Sequence, residues 1–337
     1  MAQHGISSAF LAVVVVFSVG CPSGSPQGAD ETVGSGKTGV IQAIATVGMV
    51  ADLVRNVGGD HVAVSQICGS GVDPHLYKAT RDDVQTIMSG DIVFYSGLML
   101  EGKMSDTLVK VARTKPVVAV TEELDESLLL EPDDFAGHYD PHVWMDVSAW
   151  SQCADVVANA LAELAPDHAA EFQANAAAYR ETLEQLHEFG KQVIGSIPEN
   201  RRLLITSHDA FNYFGRAYGV DVQGVQGLST ESEAGLQRIN ELVELLVARE
   251  VKAVFVESSV SPKNIEALVE GVRSRGHEIE IGGELYSDAM GAAGTYEGTY
   301  IGMLDHNLTK ISQALGGDAP AGGFQEWKPS QESGKAE

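Results

Sequence analysis

Near the middle of the chain, apolar residues recur at Phe172, Ala176, Tyr179, Leu183, Leu186, Phe189, Val193 and Ile197. Every step is three or four residues, which places the whole set on one face of an α-helix. Pro166 lies just before the stripe and Pro198 just after it, where proline opens and closes helices. The spacing predicts one helix filling residues 166–198. About thirty residues at ~1.5 Å each make a rod roughly 45 Å long. Such a rod can brace a body on either side and restrict hinge motion between them. The competing reading is a coiled-coil dimerisation helix; the stripe is isolated, which favours a monomer.

The flanks fit two bodies. Before the rod, short β-branched runs occur at Ile41–Val47, Val62–Ile67, Ile92–Tyr95 and Val117–Val120. After it come Leu203–Thr206, Val220–Val225, Ala253–Val256 and Glu278–Ile281. Amphipathic stretches such as Asp82–Met88 and Leu236–Ala248 fall between them. Alternation of strands with helices implies parallel sheets covered by helices on both faces. The expected fold class is therefore α/β, with two similar parallel-sheet lobes at 40–165 and 199–315 joined by one long backbone helix. A length of 337 residues is also too great for one simple core.

The ends of the chain have a different composition. Ala9 to Gly20 read AFLAVVVVFSVG, an apolar run too short to span a bilayer comfortably. It precedes Cys21, and Ser18-Val19-Gly20-Cys21 resembles the lipobox of a bacterial lipoprotein signal, although Ser18 replaces the usual Leu and the preceding residues hold no Lys or Arg. The resemblance implies a signal peptide over 1–20 and export, with a lipid on the Cys21 sulfur anchoring the chain to a membrane. Residues 21–39, rich in Gly, Ser and Pro, then form a lipidated tether, and the similar segment 316–337 is expected to be a loose tail. With Cys21 lipidated, Cys68 and Cys153 remain, read as two separate small buried residues or as one disulfide. The net charge of −25 excludes nucleic acid as a partner, because phosphate binding requires a basic surface.

Four short segments place a metal-ligating side chain in a Gly, Pro or Ser context. They are Gly71-Val72-Asp73-Pro74-His75-Leu76-Tyr77, His138-Tyr139-Asp140-Pro141-His142-Val143-Trp144-Met145-Asp146, Thr206-Ser207-His208-Asp209-Ala210-Phe211 and Glu284-Leu285-Tyr286-Ser287-Asp288. Asp-Pro-His occurs twice, and proline holds each of those histidines on a stiffened loop. His208 directly follows a predicted strand, and open α/β sheets bind ligands outside the carboxyl ends of their strands. Imidazole is the commonest protein ligand for zinc and related metals, and a carboxylate adds charge compensation.

These motifs, with Gly90-Asp91-Ile92-Val93-Phe94-Tyr95-Ser96-Gly97, make the chain resemble the solute-binding receptors of bacterial zinc and manganese ABC importers from about Ala43 to Leu315. The resemblance implies two α/β lobes joined by one long helix, with metal held in the cleft between them. Carried over by position, the ligands are His75 and His142 from the first lobe and His208 and Asp288 from the second. It implies one divalent transition metal ion, Zn2+ or Mn2+, as transported cargo and a membrane permease as partner. Members specialised for manganese often carry Glu at the place of His208, and softer imidazole suits zinc better than manganese. Zinc-specialised members often have a His-rich loop, whereas Glu122 to Gly137 is acidic without His. The balance favours zinc slightly.

Other residues enter as lesser candidates. His138, four before His142, is separated from it by Pro141, which disfavours a shared helical face. Cys68 lies near His75 in sequence. His61, His168, His187, His277 and His306 read as ordinary surface or helix residues, and Glu284 and Asp209 as groups that orient a ligand imidazole. A zinc hydrolase is the alternative, with Glu284 as base. It needs an open metal position, and no HExxH or GxSxG motif occurs. A surface adhesin is a third reading that no residue supports independently. No GxxxxGK[ST] phosphate loop occurs, so ATP would be handled by a separate subunit. Three histidine ligands predict metal affinity that falls as pH drops through about 6.

Overall fold

The computed structural model describes residues 39–132, 137–232 and 234–327. Cys21 and the expected signal peptide lie outside the described residues, as does nearly all of the tether.

The first lobe is built on a parallel sheet of order β2-β1-β3-β4, with β1 at Ile41–Ala45, β2 at Val62–Gln66, β3 at Ile92–Tyr95 and β4 at Val117–Ala119. Helices α1 (Gly48–Gly58), α2 (Arg81–Ser89) and α3 (Ser105–Val111) make the crossovers. Thr80 starts α2 through a capping box with Asp83, which satisfies two otherwise unpaired backbone N–H groups. The chain passes from β2 across β1 to β3, so the order reverses there and a crevice opens at the strands' carboxyl ends.

The second lobe repeats the plan. Strands β5 (Leu203–Thr206) and β6 (Asp221–Gly224) form one parallel ladder, and β7 (Ala253–Glu257) and β8 (Glu280–Leu285) form another. β5 lies beside β7, so the two ladders stand next to each other as β6-β5 and β7-β8, placed like the four strands of the first lobe although hydrogen bonds pair only β5 with β6 and β7 with β8. α6 (Asn212–Tyr218), α7 (Leu236–Ala248), α8 (Lys263–Ser274) and α9 (Tyr300–Leu315) cover it. The last strand lies further along the chain than its β-branched residues suggest. A bulge at Val254/Phe255 takes up one residue, and Gly282 and Gly283 sit inside the strand instead of ending it. A Cβ on Gly282 would meet the Ala314 Cβ at 2.9 Å, so glycine is what lets α9 approach the sheet.

The long helix is α5, Ala169–Gly195, opened by a 3₁₀ turn over Pro166–His168. Its 27 residues span about 40 Å. The whole predicted stripe from Phe172 to Ile197 is buried. Tyr179 donates to Asp52 of α1 at 3.0 Å, while Gly190 lies against Tyr218 of α6 and Val193 accepts from Ser312 of α9. One helix face thus ties together elements of both lobes. The rod is not solitary, however. α4 (Val147–Leu164) folds back along α5 through the short turn at Ala165, with Asn159 beside Gln173 and Asp155 paired to Arg180.

The segment expected as a loose tail departs from that expectation up to Trp327. Phe324 and Trp327 stack on one another and both pack on Phe189, and the Trp327 indole donates to Gln192. Cys68 and Cys153 are both buried free thiols. Among the described residues, no helix is long and apolar enough to cross a membrane.

Truncating the stripe at its centre should loosen both lobes at once. Leu183→Ala is expected to cost about 2–5 kcal/mol in equilibrium urea denaturation. A loss below about 1 kcal/mol would show that the helix is not the brace described here.

Candidate metal centre

Four side chains converge at the carboxyl ends of the two sheets: His75 and His142 from the first half of the chain, His208 and Asp288 from the second. Each stands on a loop whose sequence explains its rigidity. In Asp73-Pro74-His75, the Asp73 carboxylate accepts the His75 backbone N–H at 2.8 Å; in Asp140-Pro141-His142, Asp140 accepts that of His142 at 2.9 Å. The repeated triplet is one device used twice, a proline-fixed turn closed by an Asp side chain. His208 follows β5 and Asp288 follows β8, both at strand carboxyl ends.

Trp144 links the second Asp-Pro-His loop to the Asp288 loop. Its indole N–H donates to the Ser287 carbonyl at 2.9 Å, and its own carbonyl accepts the Tyr300 hydroxyl at 2.7 Å. Asp146 then caps α4 and pairs with Arg216.

The four reactive ends face one another. His75 Nε2 lies 3.3 Å from His142 Nε2 and 3.7 Å from Asp288 Oδ2. Asp288 Oδ1 is 3.4 Å from His142 Nε2, and Oδ2 is 3.3 Å from His208 Nε2. Ligand bonds of about 2.1 Å in a tetrahedron separate neighbouring ligand atoms by about 3.4 Å, so these spacings leave room for one cation. His75 is 4% exposed and the other three are 1% or less. His208 Nε2 and both Asp288 oxygens have no hydrogen-bond partner, although polar atoms this deeply buried are nearly always paired. A coordinated cation would satisfy all three.

Two imidazoles are held from behind by carboxylates. Asp140 accepts from His142 Nδ1 at 2.7 Å, and Glu257 takes both the His208 backbone N–H at 2.9 Å and its Nδ1 at 2.5 Å. These contacts put the proton on Nδ1 and turn the Nε2 lone pair inward. Asp209 acts at one remove: Asn212 bridges it to Asp140. Glu284 is exposed and lies outside the cluster; its backbone carbonyl faces the His306 imidazole instead. His138 is exposed and Cys68 is buried, and neither belongs to the cluster. The functional residue that sequence reasoning missed is Glu257. It ends β7, the same type of position that singled out His208.

The carboxylates decide the protonation of the site. Burial pushes His142 down, but Asp140 and Asp288 outweigh it and the imidazole stands at about 9. Burial acts the same way on His208, and Glu257 with Asp288 holds it well above its ordinary value. At His75 burial wins, pushing it down to about 4. Burial would raise Asp288, yet His208 and His142 hold it well below the usual carboxylate range. On both residues a proton therefore competes with a metal for the imidazole. The competition begins near pH 9, above the value of about 6 expected for unperturbed histidines.

Around this cluster the halves of the chain are clasped. Thr230 donates to Asp73 at 2.5 Å and Lys103 pairs with Glu231 at 2.7 Å. A cavity of about 300 Å3 lined by Met99, Pro141 and Leu228 reaches His75 between them.

A two-lobed α/β body braced by one long helix, with three imidazoles and a carboxylate closing on a cation-sized gap, defines a metal-binding protein of the substrate-receptor type. A family model described as "Zinc-uptake complex component A periplasmic", ZnuA, matches residues 44–314. The chain belongs to this family, whose members are substrate-binding transport proteins that deliver metal to an ABC importer permease. It is 48% identical over 275 residues to the "Manganese-binding lipoprotein MntA" of Bacillus subtilis, covering 82% of this chain and 90% of the relative. It is 44% identical over 272 residues to the "Zinc-binding protein TroA" of Treponema pallidum, covering 81% and 88%. The solved structure of the Treponema pallidum protein superposes with a TM-score of 0.80, covering 82% of this chain and 99% of the other.

Two outcomes test the electrostatics. Zinc affinity, measured by chelator competition, should fall as pH drops below about 9, where His142 takes up a proton, with net proton release on binding at pH 7; calorimetry in buffers of different ionisation enthalpy detects it. An affinity flat over that range contradicts a proton held on His142. Glu257→Gln should weaken metal binding by about 10- to 100-fold, because the amide cannot accept from both the His208 N–H and Nδ1. Unchanged affinity would mean that Glu257 does not orient the ligand.

Proposed function

We propose that this chain is an extracytoplasmic receptor that captures one divalent transition metal ion through His75, His142, His208 and Asp288, and that it holds zinc more tightly than manganese. The observation that carries this reading is the convergence of four buried side chains, two from each half of the chain, at the spacing of a tetrahedral shell. Three nitrogens and one carboxylate suit a borderline-soft ion, and manganese stands below zinc in the affinity order of such sites. Relatives named for manganese and for zinc are about equally similar, so the delivered metal also depends on supply and on the permease.

Several relatives are named lipoproteins, which supports anchoring through Cys21. The receptor then works as a tethered monomer. It closes on an ion outside the cytoplasmic membrane, presents the loaded form to the permease, and leaves ATP hydrolysis to another subunit. The hydrolase alternative is weaker. It needs an open metal position and a base, and Glu284, the carboxylate cast in that role, is exposed and outside the cluster.

His208→Ala should lower zinc affinity by at least about 100-fold while leaving the unfolding transition of the metal-free protein in place. Titration of both metals against a competing chelator should rank zinc above manganese in the unmodified chain. An unchanged affinity in His208→Ala would remove that residue from the site, and manganese bound as tightly as zinc would overturn the ranking.

A further inference from the structure

Among the described residues, one other group of metal-ligating side chains comes together, outside the cleft cluster and beside the amino-terminal end of β2. His61 closes the 3₁₀ turn Gly59–His61 that leads into β2, His168 closes the turn that opens α5, and Glu171 stands in the first turn of that helix. His61 Nε2 contacts Glu171 Oε2, and the His61 and His168 rings stack at 3.8 Å between centroids. One ligand atom from each of the three lies within 4.8 Å of the others.

We propose that His61, His168 and Glu171 form a second, peripheral binding site for a divalent transition metal ion of the zinc type, with two imidazole nitrogens, one carboxylate oxygen and water completing the shell.

The donor set is that of an open zinc site: three protein ligands with the remaining position left to solvent. The backbone beneath it is already fixed. Asn175 of α5 donates to the Val57 carbonyl at 3.0 Å, which pins the end of α1 to the helix just before the His61 turn. The buried Phe172 ring supports both imidazoles from below, at 6.0 Å from His61 and 6.4 Å from His168. Above that floor the side chains have freedom to adjust, with His61 30% and Glu171 61% exposed. Inserting an ion means parting the His61–Glu171 contact to about 3.4 Å and turning the His168 ring, rotations of exposed side chains that leave the backbone in place.

The consequences differ from those of the cleft. The site is open to water and offers three ligands, so it fills at higher free metal than the buried four-ligand cluster. It takes both halves of its shell from the first lobe and the base of the brace, so it neither senses nor clasps the second lobe. An ion there joins residues 110 apart in sequence, and because it binds the folded chain it raises stability by mass action.

The test uses the full chain with the cleft disabled by His208→Ala and Asp288→Ala, titrated with zinc against a competing chelator, with cobalt(II) absorption as a second readout. One further equivalent should bind, weakened at least about tenfold by His61→Ala and again by His168→Ala, and zinc should raise the thermal midpoint of the cleft-disabled chain but not of the version also lacking His61. In the otherwise unmodified chain, a His61→Ala/His168→Ala double variant should drop from two equivalents to one while the tight equivalent stays. No second equivalent, or one that survives the double variant, overturns the proposal. Failure of the cleft reading looks different: disabling the cleft would then leave zinc uptake unchanged.

Discussion

A doubly charged ion can be taken out of water only if every donor around it is aimed and its charge is met nearby. In the cluster proposed to hold it here, the aiming rests on two contacts behind the imidazoles, Asp140 to His142 Nδ1 and Glu257 to His208 Nδ1. They set the tautomer and the ring angle, and their charge favours a proton on each imidazole, which a metal must compete with. Proton release on metal entry would offset part of the charge that a dication brings into the buried cleft.

The remainder of the fold serves that geometry. Each of the four converging side chains stands just past the carboxyl end of a strand or on a turn locked by Asp and Pro, and Trp144 ties the His142 loop to the Asp288 loop. α5 holds elements of both lobes along one apolar face, so movement between the two ligand pairs is confined to small adjustments. The outer clasp connects the halves by one exposed ion pair, Lys103 to Glu231, and one part-buried hydrogen bond, Thr230 to Asp73. Contacts of that kind are individually weak, which suits a cleft that must open to release its cargo.

Much of this was legible because it is written in periodicity and in local chemistry. The stripe from Phe172 to Ile197 predicts the long helix, strand positions through β7 follow β-branched runs, and the two Asp-Pro-His turns mark their own histidines. What escaped depends on contacts distant in sequence or on local rules that tertiary packing overrides. Glu257 is one acidic residue among many until β7 brings it under His208. α4 has small buried residues such as Ala154 and Ala158, so its apolar face reads weakly in sequence although it is buried. Gly282 and Gly283 look like a break but form a bulge under α9. Phe324 and Trp327 sit in a Gly- and Pro-rich stretch, and only the apolar surface at Phe189 gives them a place. His61 and His168 read as ordinary surface residues because nothing in their own neighbourhoods shows that their rings stack.

X-ray absorption at the zinc edge on the chain loaded with one equivalent reads the cleft's donor set. Four nitrogen or oxygen neighbours at about 2.0–2.1 Å are expected, with outer-shell scattering from three imidazoles. A sulfur neighbour at about 2.3 Å, or a six-oxygen shell without imidazole scattering, would contradict that donor set.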